Sequence, residues 1–239
     1  MDDEWGATPG LPDDAFEHDG LITKRHQRAS AFAFLRPHPG ELLWDVGAGS
    51  GAMAIEWARA ALGARAIGLE RNPERAARAR GNVERLAPGA VEIREGDALA
   101  LLGSLPAPDA VFVGGGATDG VLEAAWAALR PGGRIVVHGV TVETEALLVD
   151  AYRAHVLAEY PLDRVAAITG VPAADIERMA HAYARADRAM ICWTLGITEH
   201  HNAVDNVLAL INLALLTGHV GRWGAGLNPL RGQNNVQGG

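Results

Sequence analysis

The ten residues Leu42–Gly51, LLWDVGAGSG, constrain the fold of this 239-residue chain more than any other stretch. An apolar run leads to Asp45, glycines follow at 47, 49 and 51, and a helical pattern begins at once. A short apolar run of this kind reads as a buried parallel strand. The glycines turn the backbone tightly and let its N–H groups approach a ligand. The helix after them adds its positive N-terminal end. The spacing is G-x-G-x-G, which is not the G-x-G-x-x-G of dinucleotide sites.

Around this loop the chain repeats strand, turn and helix. Residues 1–20 are rich in Asp, Gly and Pro and read as a lead-in that is either loose or ordered on binding. A helix is expected from Ile22, with Thr23 as its N-cap, broken by PHPG at 37–40. After the glycine loop come a helix over about 52–62 and a strand, 64–70, that ends in Glu70. Asn72-Pro73 opens a helix to about Leu86, with Pro at the first helical position. Further strands are expected at 90–98, 109–116 and 131–140, with a helix over 118–129. Five strands alternating with helices imply an α/β fold: a Rossmann-like, open, mostly parallel sheet with helices on both faces. Ligands bind such sheets at the carboxyl ends of the strands, near the point where strand order reverses.

Both the glycine loop and Glu70 belong to that edge. The distance in sequence from Gly47 to Glu70 suits an acid that grips the two hydroxyls of a ribose. Asp97, one strand further on, serves either an adenine amino group or the N-terminus of its own helix. Asp45 reads as a brace for the glycine loop rather than a chemical participant. Together these residues point to an adenosine-type ligand.

Composition excludes several classes. The formal net charge is −8, and residues 153–239 balance seven Arg against seven acids, so the whole excess lies in the first part. An acidic domain lacks the basic face that a nucleic acid backbone requires, so no nucleic acid partner is expected. The single cysteine, Cys192, rules out a disulfide framework and a cysteine-only metal site. The opening MDDEWGATPG is not a signal peptide. The apolar run VLALINLALLTG is too short to span a bilayer and is expected to be a core helix. A cytoplasmic protein with no membrane partner is the expectation.

LLWDVGAGSG, IGLE, EGDA, DAVFVGGG and LRPGGRIV resemble the class I S-adenosylmethionine-dependent methyltransferases. The lead-in GLPDDAFEHDGLITKR narrows this to similarity with the decarboxylating precorrin-6B C15-methyltransferases of cobalamin biosynthesis, over roughly residues 10–150. The resemblance implies an enzyme that binds S-adenosylmethionine, methylates C15 of a small-molecule corrinoid substrate and removes the carboxyl of its C12 acetate. The candidate cofactor site is then Thr23, Asp45, Gly47, Ala48, Gly49, Ser50, Gly51, Glu70, Asp97 and Ala98. His18, Asp19 and His138 are candidates near the cleft, with no catalytic role assigned to any of them. Where the family pattern has Asn-Ala at the end of the fifth strand, this chain has His138-Gly139. Lys24, Arg25 and Arg28 are expected to form the basic cleft that an acidic substrate needs. Relatives suggest a homo-oligomer.

The same pattern calls for two more strands after VTVETEALLVDAY, and none is legible. Residues 165–239 instead resemble part of the catalytic subunit of molybdopterin-dependent formate dehydrogenases, ending in RGQNNVQG. That resemblance implies molybdopterin guanine dinucleotide as a cofactor, with Gly196, Thr198, Gln233, Asn234 and Asn235 on the pterin side. No metal site is expected. Cys192, Met190 and Trp193 read as packed core, and adjacent side chains such as His200 and His201 diverge by about 100° on a helix. Residues 161–186 read as two short helices without a base-reading face. The expected division is 1–152, a methyltransferase domain, and 153–239, a partial α/β formate-dehydrogenase-like fragment. A pterin-binding oxidoreductase piece, or an inactive fusion, stands as the alternative. The segment 188–195, RAMICWTL, is a candidate to pair beside the fifth strand.

Overall fold

The computed structural model describes residues 6–7, 9–139 and 141–230. Its contacts divide into two units, Met1–Ala154 and His155–Gly239. In the first unit the chain runs α1 (Arg25–Leu35), β1 (Leu42–Val46), α2 (Ala52–Ala60), β2 (Arg65–Glu70), α3 (Pro73–Leu86), β3 (Val91–Glu95), α4 (Ala98–Leu102), β4 (Ala110–Val113), α5 (Asp119–Ala128) and β5 (Arg134–Val137). Then α6 (Val142–Glu159) begins, and the division falls inside it.

The five strands form one parallel sheet in the order β3-β2-β1-β4-β5. Strand order reverses between β1 and β4, so a crevice opens where the loops after those two strands part. All five residues of β1 are buried, and their alternation separates two cores. Leu42, Trp44 and Val46 face α4 and α5, meeting Leu102, Val121 and Ala125. Leu43 faces the other way, toward Phe32, Leu35 and Trp57 of α1 and α2. A third cluster joins Ile55 of α2, Ala76 and Ala79 of α3, and Ile93 of β3. Among the described residues β5 has one neighbour, β4, and no sixth strand extends this sheet.

Three expectations change here. Among the described residues the lead-in is packed: Leu11, Ala15 and Phe16 are buried in the cluster with α3, as is Ile22 just after it. Helix α1 starts at Arg25, later than expected, with Lys24 rather than Thr23 as N-cap, because Gln27 Oε1 accepts from Lys24 N. The segment around 188–195 does not extend the main sheet.

The second unit contains α7 (Leu162–Thr169), α8 (Ala173–Arg185), β6 (Met190–Trp193), α9 (Leu195–Thr198), α10 (Ala203–Leu216) and β7 (Gly226–Pro229). Here β6 pairs in parallel with β7 in a sheet of two strands. Cys192 is exposed and so is Met190, against the expectation of a packed strand; a two-stranded sheet has little to cover its faces. In α10 the apolar run covers the whole circumference, yet Ala214 is its one buried residue. A segment this short buries a small fraction of its surface. No helix among the described residues is long and apolar enough to cross a membrane.

Candidate functional site

A cavity of about 1200 Å³ opens at the carboxyl ends of the strands, across the crevice between β1 and β4. Its floor is main chain. Gly47 N and Ala48 N both donate to Leu69 O, at 2.9 Å each, which holds the loop after β1 against β2. Gly47 has φ +74°, and a Cβ there would stand 2.6 Å from Gly115 O in the loop after β4. No other residue fits that approach.

Two buried acids hold the loop and its helix. Asp45 Oδ2 accepts from Ala54 N at 3.1 Å, inside the first turn of α2. The brace thus reaches past the glycines to the helix beyond them. Burial pushes the Asp45 carboxyl up to about 7; the bond from Ala54 N acts against this, and the negative charge of Glu70 adds to it. Glu70, at the end of β2, accepts from Gly49 N at 2.9 Å through one oxygen and from Asn72 N at 2.8 Å through the other. A carboxylate offers about four acceptor directions, so two remain for a ligand's hydroxyls.

Thr23, Asp45, Gly47, Ala48, Gly49, Ser50, Glu70, Asp97 and Ala98 all lie on the cavity wall. Gly51 does not. It is the N-cap of α2 at φ +76°, where a Cβ would meet Ala79 at 3.4 Å. Asp97 Oδ1 accepts from Ala100 N at 3.2 Å and so caps α4, with its carboxylate still on the wall.

Adjacent strands stand about 4.8 Å apart, so the ends of β2 and β5 are separated by roughly 14 Å. Glu70 and Asp97 make one end of the cavity acidic. At the other end His138 comes directly after β5, and His26, Gln27 and Ser30 project from α1. The His138 ring lies edge-on against Phe112, centroids 4.9 Å apart. Neither of its ring nitrogens has a hydrogen-bond partner among the described residues, and burial pushes its pKa down, favouring neutral imidazole.

The other two cleft candidates are structural. His18 Nδ1 accepts from Gly20 N at 2.9 Å. Asp19 pairs with Arg75 at 2.8 Å and Arg78 at 3.4 Å. The expected basic cleft is also displaced: Arg28 is fully buried, while Arg71 and Arg75 are the arginines on the cavity wall. Sequence reasoning missed these two, although their position after Glu70 was a signal.

In the second unit Gly196 and Thr198 sit in α9. Gln233, Asn234 and Asn235 lie outside the described residues. The His200 and His201 rings are 4.6 Å apart and tilted. Among the described residues no group of three or more His, Cys, Asp or Glu is placed to hold a metal ion.

A parallel sheet in this order, with a glycine loop after β1 and an acid closing β2 against it, defines a Rossmann-like fold of the class I methyltransferase type. The sequence profile of the precorrin methyltransferase domain matches residues 14–183, and the chain belongs to that family. It is 50% identical over 142 residues to the decarboxylating precorrin-6Y C(5,15)-methyltransferase of a Sinorhizobium species, which covers 59% of this chain and 34% of that protein. The chain therefore spans about a third of the length of that curated relative. The crystal structure of the C-terminal domain of precorrin-6Y C5,15-methyltransferase from Rhodobacter capsulatus superposes with a TM-score of 0.58 at 42% identity, covering 62% of this chain and 80% of that one. A second likeness is partial. The F420-dependent formate dehydrogenase 2 subunit alpha of Methanococcus maripaludis is 49% identical over 83 residues, which is 35% of this chain and 12% of that subunit.

Proposed function

We propose that the first unit binds S-adenosylmethionine and transfers its methyl group to C15 of a precorrin-6B-type corrin precursor, with loss of the C12 acetate carboxyl as CO2. The observation that carries the reading is Glu70, which ties the glycine loop to β2 and keeps acceptor capacity for a ribose. The wall fits such a ligand in two further ways. The floor offers main-chain amides, and the acids Glu70 and Asp97 suit a cationic sulfonium. Bound there, S-adenosylmethionine would supply a methyl group already activated by its sulfonium.

This chain's residues then align and enclose rather than exchange protons. Alignment supplies most of the acceleration when the electrophile is already activated. The cavity is larger than a nucleoside needs, and its far end, at His138, His26, Gln27 and Ser30, is left for the acceptor. Decarboxylation leaves its electron pair in the conjugated macrocycle, and a proton replaces the carboxyl on the acetate carbon. Arg71 and Arg75 follow Glu70 at the nucleoside end of the wall, where Arg75 is already paired with Asp19.

The reading assigns residues 1–152 to the methyltransferase domain and 153–239 to a formate-dehydrogenase-like fragment. Binding of molybdopterin guanine dinucleotide by the fragment rests on sequence likeness alone; molybdenum analysis of protein made in a molybdenum-replete host tests it. The test of the main reading is calorimetric titration with S-adenosylhomocysteine, then incubation with the corrinoid and detection of methyl transfer and CO2. Micromolar one-to-one binding is expected. A folded, monodisperse chain that does not bind would refute it. Light scattering of the same sample checks the homo-oligomer expected from relatives.

A further inference from the structure

Arginine is almost never fully buried, yet Arg28 is. All three guanidinium nitrogens are engaged. Nε donates to Glu56 Oε1 at 2.7 Å, Nη1 to Asp13 Oδ1 at 2.7 Å and to Thr23 O at 2.5 Å, and Nη2 to Leu11 O. The Phe16 ring covers one face, 5.1 Å from centroid to Cζ. The second oxygen of Glu56 accepts from Gly10 N. Residues 10–23 thus wrap one planar cation that is rooted in α1 and anchored on α2.

The far half of this strap is fastened to α3. Glu17 N donates to Asn82 Oδ1, and Asn82 Nδ2 returns a bond to Glu17 O, each at 2.9 Å. The strap then crosses the site: Leu21, Ile22 and Thr23 line the cavity, and a Cβ on Gly49 would stand 3.8 Å from Leu21 O. One wall of the cavity is therefore strap, packed against the glycine loop that leads into α2.

We propose that Arg28 is a positioning residue for the nucleoside cavity, its guanidinium holding the Leu21–Thr23 wall at a fixed separation from the glycine loop and α2. The proposal rests on the reading of this cavity as a nucleoside site. Stability alone is a weak reason for the arrangement, because a buried ion pair gains little over packed hydrocarbon. What hydrocarbon does not provide is direction. Here oxygens from residues 11, 13, 23 and 56 converge on one rigid fork.

The test is Arg28→Lys in the full chain, which keeps charge and stem length and loses the fork. Thermal melting reports folding, and calorimetry with S-adenosylhomocysteine reports the cavity. The expected result is a folded variant whose Kd rises tenfold or more, with faster ligand release; a purely structural arginine would lower Tm and leave the Kd of the folded fraction unchanged. Wild-type affinity in a folded Arg28→Lys protein overturns the proposal. Should the variant not fold, amide exchange on the wild-type chain decides: slowed exchange across 11–23 on adding S-adenosylhomocysteine supports it, and unchanged exchange there overturns it. A wild-type chain without affinity for the probe removes the nucleoside reading itself, a failure distinct from a variant-specific one.

Discussion

Glu70 and Gly49 meet on the β2 side of the crevice: the carboxylate at the end of β2 accepts the amide of the central loop glycine at 2.9 Å. The acid that would grip a ribose is therefore also the acid that shapes the floor beneath it. Glu70→Gln keeps an acceptor for Gly49 N but loses the charge, and about a tenfold weaker affinity for S-adenosylhomocysteine is expected, or ~1.4 kcal/mol. Glu70→Ala loses both and should fall further. Calorimetric titration of the two variants ranks them; equal affinities would separate the ribose from this residue.

Position 47 gives a sharper contrast. Gly47→Ala forces a side chain into φ +74° and to 2.6 Å from Gly115 O, so loss of more than ~3 kcal/mol is expected. Gly49 also has a positive φ, +57°, but its nearest neighbour would be 3.8 Å away, and Gly49→Ala should cost about 1–2 kcal/mol. Urea denaturation of both variants measures the difference.

Asp45 makes stability depend on pH. Its folded pKa, about 7, lies above its ordinary 3.8, so between those values the folded chain holds a proton that the unfolded chain has lost. Its contribution is full below about pH 4 and disappears as pH rises through 7, a change of about 4 kcal/mol. His138, with its pKa pushed down by burial, works in the opposite sense, its contribution lost as pH falls below the ordinary 6.5. Comparison with Asp45→Asn isolates the acid: between pH 5 and 8 the wild type should lose Tm relative to the variant. Parallel pH profiles would contradict the protonated, buried carboxyl.

His138 lies about 14 Å from the acidic end by strand spacing. His138→Asn should therefore leave the Kd for S-adenosylhomocysteine within twofold while changing the KM for the corrinoid. A change in nucleoside affinity alone would place the residue at the wrong end.

Much of the fold is readable from local pattern. Strand β1 is legible to the residue, and Asn72 and Thr118 cap their helices through bonds to residues three positions on. Such signals lie within a few neighbouring residues. The strap is hidden because its organising contacts are distant in sequence: Arg28 meets Glu56, and Glu17 meets Asn82. An Asp- and Gly-rich stretch with a few scattered apolar residues shows no period, even when those residues are buried. Cys192 and Met190 mislead for the opposite reason, since the apolar run AMICWTLG signals a covered strand and β6 has only β7 beside it.

The contact between Gly47 and Gly115 carries an evolutionary consequence. A surface made of backbone offers no side chain for selection to exchange, and any replacement at Gly47 obstructs the floor instead of altering its preference. Drift toward a different acceptor molecule is therefore open to the far wall, to His26, Gln27, Ser30 and His138, where a substitution alters shape and charge without disturbing the floor. His138 and Gly139 both lie on that far wall.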